Sequence, residues 1–142
     1  MANALRLSRL IPCAAVACLS LGLATPAAAQ TKPDCTAPTA TPEIAYCTEL
    51  ELKAADAALN RAYQDAIAVI KAADHLKPKQ RRDWEQVMRE AQRHWIAFTD
   101  RDCGEVTGWE WHQGTGQGTA TLACRLVKTR TRTDELKARY AR

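Results

Sequence analysis

Ala91-Gln92-Arg93-His94-Trp95-Ile96-Ala97-Phe98-Thr99-Asp100-Arg101-Asp102-Cys103 is the stretch on which the fold turns. Ala91, Trp95, Phe98 and Asp102 follow one another at spacings of four, three and four, the period of a single helix face. Gln92, Arg93 and Arg101 fall on the opposite, water-facing side. The spacing predicts the last turns of a long helix ending in a cysteine. The remainder of the chain is expected to cover the apolar face and to tie that cysteine down.

Upstream, the same helix is expected to begin at Pro78 and to turn Trp84, Val87, Met88, Ala91, Trp95 and Phe98 toward a neighbour. A Trp or Phe side chain buries roughly 150–250 Å², so these residues should dominate the core. The residue before a proline resists helical angles, which places a tight turn at Leu76-Lys77. A link this short makes the preceding helix an antiparallel neighbour. That first helix is expected from Thr41-Pro42-Glu43 to about Ala73, with Thr41 as N-cap, Pro42 in the first turn and Glu43 facing the positive end of the dipole. Leu52, Leu59, Tyr63, Ala66 and Ile70 form its stripe, with Ala55 and Ala62 beside them to let another helix approach closely. Downstream of Cys103, the glycines from Gly104 to Gly118 predict a loop, with Trp109, Trp111 and His112 inside it. A third helix is expected to begin near Thr119 or Thr121 and to lay Leu122, Leu126, Thr129, Thr133, Leu136 and Tyr140 against the hairpin. The fold class is therefore all-α: a long antiparallel helical hairpin with a third packed helix.

The first 29 residues read as an address. Arg6 and Arg9 give a positive n-region without acids, Leu10 to Leu23 is mostly apolar, and small residues surround a cleavage site after Ala29. The apolar run is shorter than the ~20 residues of a membrane span. A lipoprotein cut before Cys18 leaves too short an apolar core, so a soluble chain, periplasmic or secreted, is expected to run from Gln30 to Arg142 as one small domain. Four of the six cysteines then remain: Cys35, Cys47, Cys103 and Cys124. In an exported chain of this size they are expected to form two disulfides. Cys35–Cys47 with Cys103–Cys124 is the preferred pairing, as two local staples; Cys47–Cys103 with Cys35–Cys124 is the alternative.

Without the leader, 18 basic residues against 16 acidic ones leave a net charge near +2, too weak a balance for a nucleic-acid partner. Arg125 to Arg142 is locally basic, with seven basic and two acidic residues, Arg130 among the former. Catalytic chemistry finds little to stand on. Ser8 and Ser20 both lie in the leader, and disulfides consume the thiols. His75, His94 and His112 never share a helix at i, i+4, so no zinc site is expected, and no cofactor. Asp100 and Asp102 near Asp56 are better read as helix-end carboxylates paired with arginine than as an acid/base couple. Gly114-Thr115-Gly116-Gln117-Gly118 lacks the Gly-Lys-Ser/Thr ending of a phosphate loop. Trp109, Trp111 and His112 are the strongest candidates for a partner contact, since exposed tryptophan is often a binding anchor.

Several residues stand in a familiar order: Cys35 and Cys47; Ala55-Asp56, Leu59-Asn60 and Tyr63; Ala91-Gln92, Trp95, Phe98, Asp100 and Cys103; Cys124, Leu126, Thr129, Arg132 and Leu136. Together they resemble the lysozyme-inhibitor LprI-like family of small exported bacterial proteins, over nearly all of the mature chain. One departure is Thr99, where the family usually has Arg before Asp100; Arg101 and Arg132 are the candidates to pair with Asp100 instead. The resemblance implies a disulfide-stapled helical domain and, for at least some relatives, inhibition of host lysozyme. Asp56, Leu59, Asn60, Tyr63, Gln92, Trp95, Asp100 and Arg132 are read as a structural signature, with Asp56, Asn60 and Gln92 satisfying one another or a helix end. An inhibitor is expected to occlude the saccharide cleft of a lysozyme, whose two catalytic carboxylates invite a basic or hydrogen-bonding plug. Candidate plugs are the Trp109–Gly118 loop and the basic third helix. The alternative function is a structural or interaction module of the cell envelope, docking another protein, peptidoglycan or anionic lipid.

Overall fold

The computed structural model describes residues 32–141; the expected leader and its cleavage site lie outside them. Helix α1 spans Thr41–Lys71, α2 Pro78–Arg101, a π-helical turn Asp102–Val106, α3 Thr107–Glu110 and α4 Gln117–Tyr140. Among the described residues there is no strand. No described helix is long and apolar enough to cross a membrane.

Helix α1 starts one residue earlier than expected. Ala40, not Thr41, is the N-cap, and its extended backbone offers no side-chain acceptor. Glu43 supplies the missing partner: its carboxylate accepts the N–H groups of Thr39 and Ala40 at 3.2 Å each, at the positive end of the helix dipole. At the other end Lys77 is extended, as its following proline requires, and α2 begins at Pro78. Arg81 closes the turn by donating to the carbonyl oxygens of Leu76 (2.6 Å) and Ala73 (3.2 Å). Glu85 ties the two helices together through Lys71 of α1 and Arg89 of its own helix. The hydrogen bond from Arg89, helped by the charge of Lys71 and opposed by burial, holds the Glu85 carboxyl below its ordinary range.

Residues of α4 meet α2 in descending order, Arg125 with Asp100, Arg132 with Gln92 and Tyr140 with Met88, so these two helices are antiparallel. Helix α1 is antiparallel to α2 as well and lies along α4. The α1–α4 contact is the most extensive between helices among the described residues. Its intimacy follows from side-chain size. Ala55, Ala62 and Ala66 of α1 and Thr129 and Thr133 of α4 are all buried, and residues this small let the two backbones approach. Thr133 satisfies its hydroxyl within its own helix, donating to the Thr129 carbonyl at 2.8 Å. Leu59, Ala62, Ala66, Ile67, Ile70, Met88 and Leu136 form the core, with Tyr63, Trp84, Trp95 and Tyr140 packed around it.

Two expectations need correction. The inner face of α2 is Trp84, Met88, Trp95 and Thr99; Val87 is 61% exposed, Phe98 is 55% exposed and Ala91 is exposed too. The helix is rotated so that Gln92, in mid-face, can accept a hydrogen bond from Arg132. Phe98 instead lies at the flank beneath Lys128, whose ammonium is 4.8 Å from the ring centroid. The second correction concerns Gly104 to Gly118. The chain stays helical to Glu110, first as the π turn and then as α3. Two constraints offset the ~1 kcal/mol that each glycine costs in a helix. Cys103 is pinned to Cys124, and the Thr107 hydroxyl donates to the Asp102 carbonyl at 3.2 Å. Both disulfides of the preferred pairing are present, Cys35–Cys47 and Cys103–Cys124.

Candidate functional site

Between α1, α2 and α4 lies a cleft of about 280 Å³. Helix α1 contributes Leu52, Asp56, Leu59 and Asn60; α2 contributes Gln92, Trp95, Ile96, Thr99 and Asp100; α4 contributes Arg125 and Thr129. Six of the eight signature residues thus share one wall system, and Arg132 reaches it through its 3.2 Å bond to Gln92. Tyr63 stands apart, packed on the core. The polar groups satisfy one another less fully than expected. Asp56 accepts only a long bond, 3.5 Å, from the Thr129 hydroxyl. Asp100 pairs with Arg125 at 3.1 Å, not with Arg101 or Arg132. Arg101 is engaged by Glu105, and Arg132 by Gln92 and Glu135. Thr99, 6% exposed, has no hydrogen-bond partner for its Oγ1 among the described residues, and Arg125 has none for its buried Nε. A buried polar group left unmet costs about 1–3 kcal/mol, so both atoms are unusual here.

Arg125 and Thr99 were not singled out as site residues in the sequence. The signal available was slight: Arg125 lies one turn before Thr129 on the flank of the α4 stripe, and its reach to Asp100 depends on the rotation of α2.

The second candidate surface is the end formed by the π turn, α3 and the start of α4. Trp109 is 71% exposed. Trp111 is 52% exposed and folds back on the turn, its ring so close to Gly116 that a Cβ there would meet it at 2.6 Å. Val106, Trp111 and Val127 line one depression beside Glu110 and Lys128. His112 adopts a left-handed backbone, φ 51°, in the turn after α3. The candidate contact Arg130 lies elsewhere on α4, bound to Glu51 at 2.7 Å. Arg125, Lys128 and Arg132 are likewise engaged by acids or amides of the fold, so the basic helix presents less free charge than its composition implied. Asp102, Cys103 and Cys124 bring potential ligand atoms within 4.8 Å of one another. Both sulfurs are joined in the disulfide, which removes the thiolates a metal would need.

A small all-α domain braced by two disulfides, with polar side chains gathered in a cleft and two of its four tryptophans displayed at one end, is the class the geometry defines. Residues 34–136 match the family described as Lysozyme inhibitor LprI, and the chain belongs to that family. It is also 33% identical over 117 residues, 78% of this chain and 81% of the relative, to a protein of Rhizobium meliloti (strain 1021) described only as uncharacterized. No solved structure matches it.

Proposed function

We propose that this chain is an exported, non-catalytic binding protein that inhibits a lysozyme by setting its aromatic end into the mouth of the enzyme's saccharide cleft. The family match over residues 34–136 carries the reading. Export is supported by the expected leader and by two disulfides, which persist in oxidising compartments. The absence of serine from the mature sequence and the cross-linking of all four of its cysteines support a binding role over a catalytic one. Of the two plugs considered, the aromatic end is favoured because four basic side chains of α4, Arg125, Lys128, Arg130 and Arg132, are occupied within the fold, whereas Trp109 is free to enter a partner. Large aromatic side chains of this kind anchor interfaces.

The test is a lysis assay with purified protein against several lysozyme types. Inhibition is expected to respond little to salt, because a chain near +2 offers no long-range attraction to a cationic lysozyme. Trp109→Ala is expected to weaken inhibition about thirtyfold, the loss of about 2 kcal/mol typical of an anchor residue. Absence of slowing at micromolar excess over every lysozyme rejects the reading. Salt-sensitive retention on cell-wall sacculi in that case puts the envelope-module alternative in its place.

A further inference from the structure

The cleft between α1, α2 and α4 shares no lining residue with the aromatic end, and lysozyme inhibition through Trp109 makes no use of it. Its walls carry a specific chemical demand. Arg125 spends one guanidinium nitrogen on Asp100 and keeps its buried Nε–H without an acceptor. Thr99, more than nine-tenths buried, is among the cleft's lining residues, and no protein atom among the described residues engages its hydroxyl. Asp56, an exposed residue on the α1 side of the cleft, holds only one long bond, from Thr129, so its carboxylate keeps acceptor capacity for a ligand. Leu52, Trp95 and Ile96 supply apolar surface between the polar groups.

Charge decides among ligand classes. An anion would meet Asp56 and Asp100, and a cation would leave the Arg125 Nε–H unanswered while facing a guanidinium. A neutral molecule whose adjacent atoms both donate and accept answers each group at once, and one apolar face of such a molecule can lie on Trp95 and Ile96. A sugar ring has this constitution: hydroxyl groups at its rim, each donor and acceptor, and axial C–H groups on its faces. The volume, about 280 Å³, stands at the lower edge of the roughly 300–1,000 Å³ found for ligand sites, which is room for one ring. We propose that this cleft binds a single neutral saccharide unit of hexose size, with Asp56 accepting from its hydroxyls and Arg125 Nε and Thr99 completing the pairing. The assignment does not rest on lysozyme inhibition, and either can stand if the other fails.

Titration of isotope-labelled full-length mature protein with glucose, galactose and N-acetylglucosamine, followed by amide chemical shifts, tests it. Saturable shifts at Asn60, Gln92, Thr99 and Arg125 are expected for at least one sugar, with a dissociation constant on the order of 1 mM. Asp56→Ala and Arg125→Met are each expected to weaken binding about tenfold while the rest of the spectrum keeps its dispersion. Lys79→Ala, at the far end of α2, is expected to leave binding unchanged. The proposal is overturned if no sugar produces saturable shifts in the cleft, or if acetate or ethylammonium does so and the sugars do not. It is overturned equally if both cleft variants bind as the parent does.

Discussion

Ala66 shows no surface at all, and at the contact between α1 and α4 its smallness sets how near two backbones come. Ala66→Leu would force extra carbon atoms into a site that is already fully buried. The expected cost is about 1–3 kcal/mol, the usual range for overpacking, read as a lower urea midpoint at unchanged slope. Val87→Ala, at a side chain 61% exposed, should stay within about 0.5 kcal/mol of the parent, although both positions read as apolar in the sequence. An equal loss at the two sites would refute the packing argument. This contrast marks what is legible at the scale of a residue. The buried alanines could be read from their place beside the Leu59–Ile70 stripe, because helical period alone puts them there. The inner face of α2 could not. Its apolar residues fall on two adjacent faces, and the choice is made by Gln92 finding Arg132 forty residues later. The cleft inherits that difficulty: Thr99 and Arg125 become site residues only once α2 has its actual rotation.

Among the elements, α3 departs furthest from its sequence signal, and its ending explains how it persists. The Gln113 N–H donates to the Gly108 carbonyl and the His112 N–H to the Trp109 carbonyl, both at 3.0 Å. This is the paired bonding of a Schellman end, which ordinarily places glycine where His112 stands. A non-glycine residue there costs roughly 1–2 kcal/mol in left-handed strain. His112→Gly should recover part of this, offset by the greater freedom of glycine in the unfolded chain, for a net gain of about 0.5–1 kcal/mol. Thermal unfolding measures it, and a lower midpoint in the variant would contradict the assigned end. Gln113, also left-handed at φ 56°, should respond in the same direction. Five glycines in fifteen residues, read one at a time, argue for a loop. The bonds that keep most of that stretch helical are made by its ends and by a cysteine of α4, which local composition does not register.

For the whole molecule, the two disulfides have unequal mechanical positions despite similar chemistry. Cys35–Cys47 closes a separation of 12 residues and fastens an exposed arm to the first turns of α1. Cys103–Cys124 closes a separation of 21 and joins the π turn to α4, with Cys103 wholly buried. Loop-closure entropy alone favours the longer link only slightly, since each such bridge is worth about 3 kcal/mol. What separates them is the native side. Losing Cys103–Cys124 leaves a buried cavity and frees the π turn, α3 and the tryptophans they carry, whereas losing Cys35–Cys47 frees only the arm. Replacing both members of each pair with alanine should therefore cost about 3–4 kcal/mol for Cys103 with Cys124 and about 2 kcal/mol for Cys35 with Cys47. Amide hydrogen exchange gives the more searching measurement. In the first variant, protection should vanish across Thr107–Glu110 while Leu59, Ile67 and Leu136 keep theirs, because the α1–α4 contact has no covalent support and needs none. Loss of protection at Leu136 along with α3 would mean that the helices and the aromatic end unfold as one unit. The molecule would then not be divided into a rigid helical body and a separately braced end.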